Sequence, residues 1–300
     1  MTDGFRCGFV AIIGRPNVGK STLLNRLVGQ KVSITSRRPQ TTRHRVLGIR
    51  TSERAQLIFV DTPGLHQHDN GRQLGRIMNR ATRGSLEGVD VVIVVVTADG
   101  WRVEDEPALA LARSTGRPVV LVINKCDRLA SRDLLLPLID DSARRLQFAG
   151  IVPVSARTGD HLAELETLLV GLLPEQAALY DAEQVTDRSE RFLAAEFVRE
   201  QVFRAVGQEV PYSVAVEITE FRDEPKHAHI EAIIWVEKEG QKAILIGKGG
   251  EQLKSIGRAA RLEMQKALGR KVWLGLWVKV REGWADDARA LKSLGYAEDE

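Results

Sequence analysis

Gly14-Arg15-Pro16-Asn17-Val18-Gly19-Lys20-Ser21 fits the spacing G-x-x-x-x-G-K-[ST]. The chemistry such a loop performs is phosphate binding. Its backbone N–H groups converge on phosphate oxygens, and the helix that follows adds partial positive charge at its N-terminus. Lys20 is placed to bridge the β- and γ-phosphates, Ser21 to ligate Mg²⁺, and Thr22 continues the same helix start. A bare glycine turn would not need both Lys20 and Ser21. Alone, the loop specifies a nucleoside triphosphate and no particular base.

Asp61-Thr62-Pro63-Gly64 follows an apolar run. There an aspartate can hold Mg²⁺ through water and a glycine amide can sense the γ-phosphate. Asn124-Lys125-Cys126-Asp127 closes another apolar run. The Asp127 carboxylate can accept hydrogen bonds from guanine N1–H and its exocyclic amine, a pair that adenine does not offer, and sites built on such bonds reject analogues lacking them. Val154-Ser155-Ala156 completes the base pocket, with the Ala156 amide expected to face guanine O6. The order of these motifs, more than any one of them, points to guanine nucleotide and Mg²⁺.

A second constellation lies near the other end, at Ile246-Gly247-Lys248-Gly249-Gly250-Glu251. A G-x-x-G turn lets a sugar-phosphate backbone approach closely and clamps about four nucleotides of single-stranded RNA. Ile246, Gly247, Lys248, Gly249 and Gly250, with Lys254 and Arg258 on the next helix, are the expected RNA contacts. From Lys242 to Arg281 there are ten basic residues against two acidic ones, a net +8 in a chain whose overall charge is only +3. Positive potential is therefore concentrated on this module. Ile246, Ile256 and the run Ile230 to Val236 suit either a groove floor or plain core, with core favoured. Trp273 and Trp277 share one side of a strand and are read as packing residues rather than stacking platforms.

The elements that must position these residues follow from periodicity. Strands are expected at Phe9 to Ile13, Val46 to Arg50, Leu57 to Asp61, Val89 to Val96, Pro118 to Asn124 and Ile151 to Val154, with helices between most of them. Alternation of this kind gives an α/β domain, a mostly parallel sheet wrapped by helices. Pro174 and the polar stretch Glu175 to Asp187 interrupt the pattern. The expected organisation is a nucleotide-binding domain over 1–173, a linker over 174–187, and a second domain over 188–300. That second part shows the order helix (Ser189 to Val206), strand (Pro211 to Glu220), strand (Ala228 to Val236), short helix, helix (Glu251 to Leu268), strand (Lys271 to Val280). The order and the G-x-x-G turn are those of an α+β type II KH domain.

Apolar content of 43% and charged content of 28% are ordinary for a folded soluble protein and exclude a disordered chain. The start of the sequence lacks a secretory pattern, and no apolar run approaches the roughly 20 residues of a membrane span. Cys7 and Cys126 are too few for a disulfide framework. A cytoplasmic location is expected.

Taken together these residues resemble the Era family of translation-factor-related GTPases, over essentially the whole chain. The resemblance implies GTP hydrolysis coupled to binding of the 3′ region of small-subunit ribosomal RNA during small-subunit assembly. It also implies a monomer, and peripheral contact with the inner face of the cell membrane. Gln40-Thr41-Thr42-Arg43-His44-Arg45 is similar to the family's first switch segment, with Thr42 favoured over Thr41 as the Mg²⁺ ligand beside Ser21 and Asp61. Lys20, Thr42 and Gly64 are then the groups expected to act on the transferred phosphoryl. The segment from His66 to Arg72 is expected to form the second switch. Leu65 stands where Ras-like enzymes carry a water-orienting glutamine, which implies slow intrinsic hydrolysis or help from another element. Asn17 resembles the P-loop asparagine that holds K⁺ in cation-dependent relatives, so K⁺ joins the expected cofactors. Two rival readings are a GTPase acting on a membrane or protein effector, and an RNA chaperone stabilised by nucleotide.

Overall fold

The structure, a computed structural model, describes residues 4–36, 38, 41–63, 73–206, 214–294 and 296. The chain divides into two compact units, one of Met1–Ser33, Thr42–Asp69 and Met78–Asp187, the other of Ile34–Thr41, Asn70–Ile77 and Arg188–Glu300.

In the first unit, β1 (Arg6–Ile13), β2 (Val46–Thr51), β3 (Ala55–Asp61), β4 (Val91–Thr97), β5 (Val119–Asn124) and β6 (Gly150–Pro153) form one sheet in the order β2-β3-β1-β4-β5-β6. Only the β2–β3 pair is antiparallel. The helices α1 (Lys20–Val28), α2 (Gln73–Gly84), α3 (Glu106–Ser114), α4 (Leu135–Arg145) and α5 (Leu162–Leu172) are interspersed along the chain. Period-two alternation sends Val10, Ile12, Val91, Ile93 and Val95 into one core with α1 and α5. Ala11, Ile13, Val92, Val94 and Val96 enter a second core on the opposite face with α3 and α4. Covered on both faces, β4 is apolar at every position but its last, Thr97, as a central strand must be. The expected strands are all present, with every end within three residues of its expected place.

Residues 174–187 hydrogen-bond to the strands of this unit. Cys7 N donates to Pro174 O at 3.1 Å, Ile49 N to Val185 O at 2.9 Å, and Gln56 Nε2 to Tyr180 O at 2.8 Å.

The second unit holds α6 (Glu190–Ala205), β7 (Ala215–Glu224), β8 (His227–Val236), α7 (Glu239–Ile246), α8 (Glu251–Leu268), β9 (Lys271–Val280) and the short α9 (Ala288–Ser293). The sheet order is β7-β8-β9, antiparallel then parallel, which leaves β9 at one edge. Alternate residues of β8, Ala228 to Val236, are buried with Phe197, Val198 and Val202 of α6 and Ile256, Ala260 and Met264 of α8. Helices therefore cover one face of the sheet. Segment 34–41 folds with this unit: Ile34 is in its core, Thr35 N donates to Glu200 Oε1 at 2.9 Å, and Arg199 donates to Thr41 O at 2.5 Å. Among the described residues no helix is long and apolar enough to cross a membrane.

Candidate functional site

The phosphate loop is built by backbone conformations that only its residues tolerate. Gly14 has φ +152, and a Cβ there would lie 2.5 Å from Val95 O. Gly19 has φ +105, and a Cβ there would run into Asn124 Nδ2. Asn17 takes the left-handed φ of +63 that asparagine tolerates better than most residues. The helix α1 starts at Gly19 with no side-chain cap, so its first-turn N–H groups are left to a ligand.

Lys20 is 7% exposed and donates to Gly14 O at 2.9 Å and Arg15 O at 3.1 Å. Burial lowers its pKa to about 8, with the Asp61 charge opposing the shift. Arg15 pairs with buried Asp105 at 3.0 Å and bonds Thr97 at 2.6 Å, which turns its charge toward β4. Pro16 is half-buried and Val18 fully buried, while Thr22 is half-buried on α1.

Asp61 ends β3 and is fully buried. Its Oδ2 accepts from Ser21 at 2.8 Å and from Ser33 at 2.8 Å. Its Oδ1 is buried with no hydrogen-bond partner among the described residues. Burial pushes the carboxyl pKa upward, opposed by Lys20 and by the hydroxyls of Ser33, Ser21 and Thr42. Ser21 Oγ lies 3.0 Å from Thr42 Oγ1, whereas Thr41 Oγ1 turns away to Arg38 O at 2.7 Å. Geometry thus separates the two threonines, and Thr42 is the one beside Ser21. The cluster is all oxygen, with one orphaned buried carboxylate atom, and that donor set suits a hard divalent cation such as Mg²⁺. Thr62 bonds Ile12 O at 3.1 Å and Pro63 O accepts from Thr82 at 2.9 Å. Gly64, Leu65 and the expected second switch lie outside the described residues.

Ser33 is a member of this cluster that sequence spacing does not reveal. It is held by Asn25 of α1, whose Oδ1 accepts from Val32 N and Ser33 N at 2.9 and 3.0 Å and whose Nδ2 donates to Ser33 O at 2.7 Å. The one signal in the sequence is Asn25 itself, a half-buried polar residue one helical turn beyond Ser21.

Asn124 proves to be a brace. Its Nδ2 donates to Val18 O at 2.8 Å, and its Oδ1 accepts from Lys125 N at 2.7 Å and Ala156 N at 3.0 Å. One side chain therefore ties the phosphate loop to both base-pocket segments. The Ala156 amide, expected to face guanine O6, donates here to Asn124. Asp127 accepts from Ser155 Oγ at 2.7 Å, and its other oxygen pairs at 2.8 Å with Arg157, which is 75% exposed and so able to yield to a base. Lys125, at φ +68, donates to Asn17 O at 2.5 Å across the mouth of the loop.

In the second unit α7 ends at Gly247, where φ is +70 and a Cβ would sit 2.6 Å from Gln252 Cβ. Lys248–Gly250 makes a single tight turn, with Gly249 and Gly250 also at positive φ. Beside it opens a groove of about 500 Å³ lined by Gly250, Leu253, Lys254, Gly257, Arg258, Arg261, Leu274 and Leu276. Lys254 and Arg258, the expected RNA contacts, line this groove together with Arg261. Of the two roles the sequence allows, the favoured one holds: Ile256, Ile230 and Ile234 are core, and Leu253, Leu274 and Leu276 form the apolar lining. Ile246 is partly buried against that core. Trp273 and Trp277 are not core residues: each is 45% exposed, although Trp273 stacks on His229. Period-two logic gave them one side of β9, but could not say that α6 and α8 pack against the other.

A phosphate loop, an acid-hydroxyl cluster and an Asp127 base reader on one α/β unit, followed by a G-x-x-G unit, define a P-loop GTPase joined to a KH domain. The family model described as "50S ribosome-binding GTPase" matches residues 9–125, and that described as "KH domain" matches residues 209–285. GTPase Era of Marinobacter nauticus is 54% identical over 293 residues, covering 98% of this chain and 96% of that protein. GTPase Era of Coxiella burnetii is 52% identical over 292 residues, covering 97% and 98%. Among solved structures, Aquifex aeolicus Era bound to GDP and aluminium fluoride aligns with a TM-score of 0.94 at 42% identity, over 98% of this chain and all of that one. An Era in complex with MgGDPNP and nucleotides 1506–1542 of 16S ribosomal RNA aligns with a TM-score of 0.93 at 42% identity over the same shares. The chain belongs to the Era family of GTPases.

Proposed function

We propose that this chain is a GTP-driven switch that binds the 3′ region of small-subunit ribosomal RNA during assembly of that subunit. The observation that carries the reading is that a phosphate and guanine site and a basic G-x-x-G groove occur in one chain. That chain aligns over 98% of its length with an Era holding MgGDPNP and 16S ribosomal RNA. The domain division proposed is a nucleotide domain over 1–173, a linker over 174–187 and a KH domain over 188–300.

In this reading Lys20 leaves the carbonyls of Gly14 and Arg15 for the β- and γ-phosphates. Asp127 reads guanine while Ser155 orients its carboxylate and Asn124 keeps both loops in register. Ser21, Thr42 and Asp61 would hold Mg²⁺, with Ser33 fixing the Asp61 carboxylate. When bound, Mg²⁺ supplies charge neutralisation on the phosphates. Gly64 is proposed as a γ-phosphate donor, and K⁺ beside Asn17 as a further charge. Lys248 and the glycines of its turn clamp the RNA backbone, with Lys254 and Arg258 along the groove. We further place the protein in the cytoplasm, monomeric, with peripheral contact at the inner membrane face.

The switch meets the KH unit through chain connectivity. Thr41 folds with the second unit and the next residue, Thr42, with the first. The test is the affinity of the intact protein, at fixed salt, for a single-stranded oligonucleotide copying the small-subunit rRNA 3′ end, with GDP or a non-hydrolysable GTP analogue. Tighter binding with the analogue, abolished by Lys248→Asp with Gly249→Asp, is expected. Binding indifferent to nucleotide and to those substitutions would replace the reading with an effector GTPase.

A further inference from the structure

The outer face of β9 carries Lys271, Trp273, Gly275, Trp277 and Lys279 in alternate positions. The intervening Leu274 and Leu276 line the groove on the other face. Both tryptophans are 45% exposed, an unusual cost for side chains of that size unless something covers them. Their rings are set, not loose. A Cβ on Gly275 would lie 3.0 Å from Trp273 Cη2 and 2.9 Å from Trp277 Cη2, so the two rings converge over a glycine that alone leaves room for them. Trp273 is also stacked on His229 of β8, with centroids 4.1 Å apart and planes 11° from parallel. The result is one aromatic surface with a lysine at each end.

We infer that this strip is a second single-stranded RNA surface, on which bases leaving the G-x-x-G groove stack. The inference rests on the reading of the Gly247–Gly250 turn as an RNA clamp. Continuity selects RNA as the occupant: β9 is the edge strand, and one of its faces borders the groove while the other bears the strip. A strand passing over that edge reaches the rings without crossing the sheet. Rings flanked by cations are the combination that single-strand binders use, with π-faces taking any base and lysines taking the phosphates. Two of the acids near this face are engaged within the protein. Glu217 accepts from Trp235 Nε1 at 2.8 Å and Glu220 pairs with Arg222 at 2.9 Å, whereas Glu231, opposite Gly275, lies 3.5 Å from His229 and is paired only when that imidazole is protonated. The strip should therefore extend the bound length and tolerate base identity, leaving base selection to the groove.

The test uses the full chain with single-stranded RNAs of four and twelve nucleotides sharing the groove-binding sequence, titrated at one salt concentration. Trp273→Leu with Trp277→Leu is expected to weaken the twelve-nucleotide RNA about tenfold or more, to leave the four-nucleotide RNA unchanged, and to spare GTP hydrolysis without RNA. Trp277→Phe with Trp273→Phe should recover most of the loss, because stacking needs a ring. Gly275→Val should mimic the leucine variant by forcing the rings apart. An unchanged twelve-nucleotide affinity in the leucine variant overturns the inference, as does an equal loss for both lengths, which would make the rings a structural support. Lys248→Asp with Gly249→Asp separates the two levels: it should weaken both lengths, and if the wild-type chain binds neither RNA the clamp reading falls and the strip falls with it.

Discussion

Lys20 shows how a single residue can be committed to a ligand before the ligand arrives. Buried and, among the described residues, bonded to carbonyls, it has a pKa of about 8, well below that of a free lysine. Below pH 8 both the folded and the unfolded chain hold this proton. Between pH 8 and 10.5 the folded chain has released it while the unfolded chain has not, so the destabilising cost of burying the charge fades as pH rises through that window. Phosphates beside Lys20 restore the charged form. Binding of GDP should therefore take up almost no proton at pH 7 and close to one at pH 9, read by calorimetry in buffers of different ionisation enthalpy. Lys20→Arg should show no uptake at either pH. Asp127 offers the complementary prediction about the base. Asp127→Asn turns one acceptor into a donor and should lower GDP affinity at least about a hundredfold while improving that of xanthosine diphosphate, whose 2-oxo group accepts. At this scale the motif residues were legible because each has a fixed spacing. Ser33, Asn25 and the bracing role of Asn124 were not, because their partners are brought together only by the fold.

Elements were more legible than their environments. The expected α8 and β9 agree with the observed Glu251–Leu268 and Lys271–Val280 at both ends. Each is fixed by glycines or a basic-apolar alternation that leaves little freedom. The start of β7 was expected at Pro211 and is found at Ala215, with residues 207–213 lying outside the description. What periodicity does not encode is which face of a strand meets a helix. That is why Trp273 and Trp277 were assigned to packing: large aromatic residues in an amphipathic strand are usually buried, and only the placement of α6 and α8 on the opposite face of the sheet exposes them. The start of α6 makes a smaller test of element logic. Ser189 caps it by accepting from Phe192 N at 3.2 Å. Ser189→Ala should cost about 1 kcal/mol in denaturant unfolding, and Ser189→Asp, which keeps the acceptor and suits the helix dipole, should cost little or nothing.

For the whole molecule the decisive quantity is a coupling free energy rather than either affinity. If GTP tightens RNA binding by some factor, RNA must tighten GTP binding by the same factor. A factor of about 5 to 150 is the usual range for coupled sites. The chain's route for such coupling is short. Arg199, 1% exposed and held by Glu196 at 2.7 Å, donates to Thr41 O, and the next residue brings its hydroxyl to Ser21. A nucleotide that repositions Thr42 must act on Thr41, and hence on a helix whose Phe197, Val198 and Val202 are built into the KH core. Replacing Arg199 and Glu196 together by Met and Gln removes the bond to Thr41 without stranding a buried carboxylate. Such a variant should keep the RNA affinity of the GDP form and the analogue affinity of the RNA-free form, each within about twofold, because neither site is touched. The ratio between the two nucleotide states should nevertheless collapse toward one. Measuring all four edges of the cycle in wild type and variant checks this. A ratio that persists undiminished would route the coupling elsewhere, and the second switch, between Gly64 and α2, is then the element to probe next.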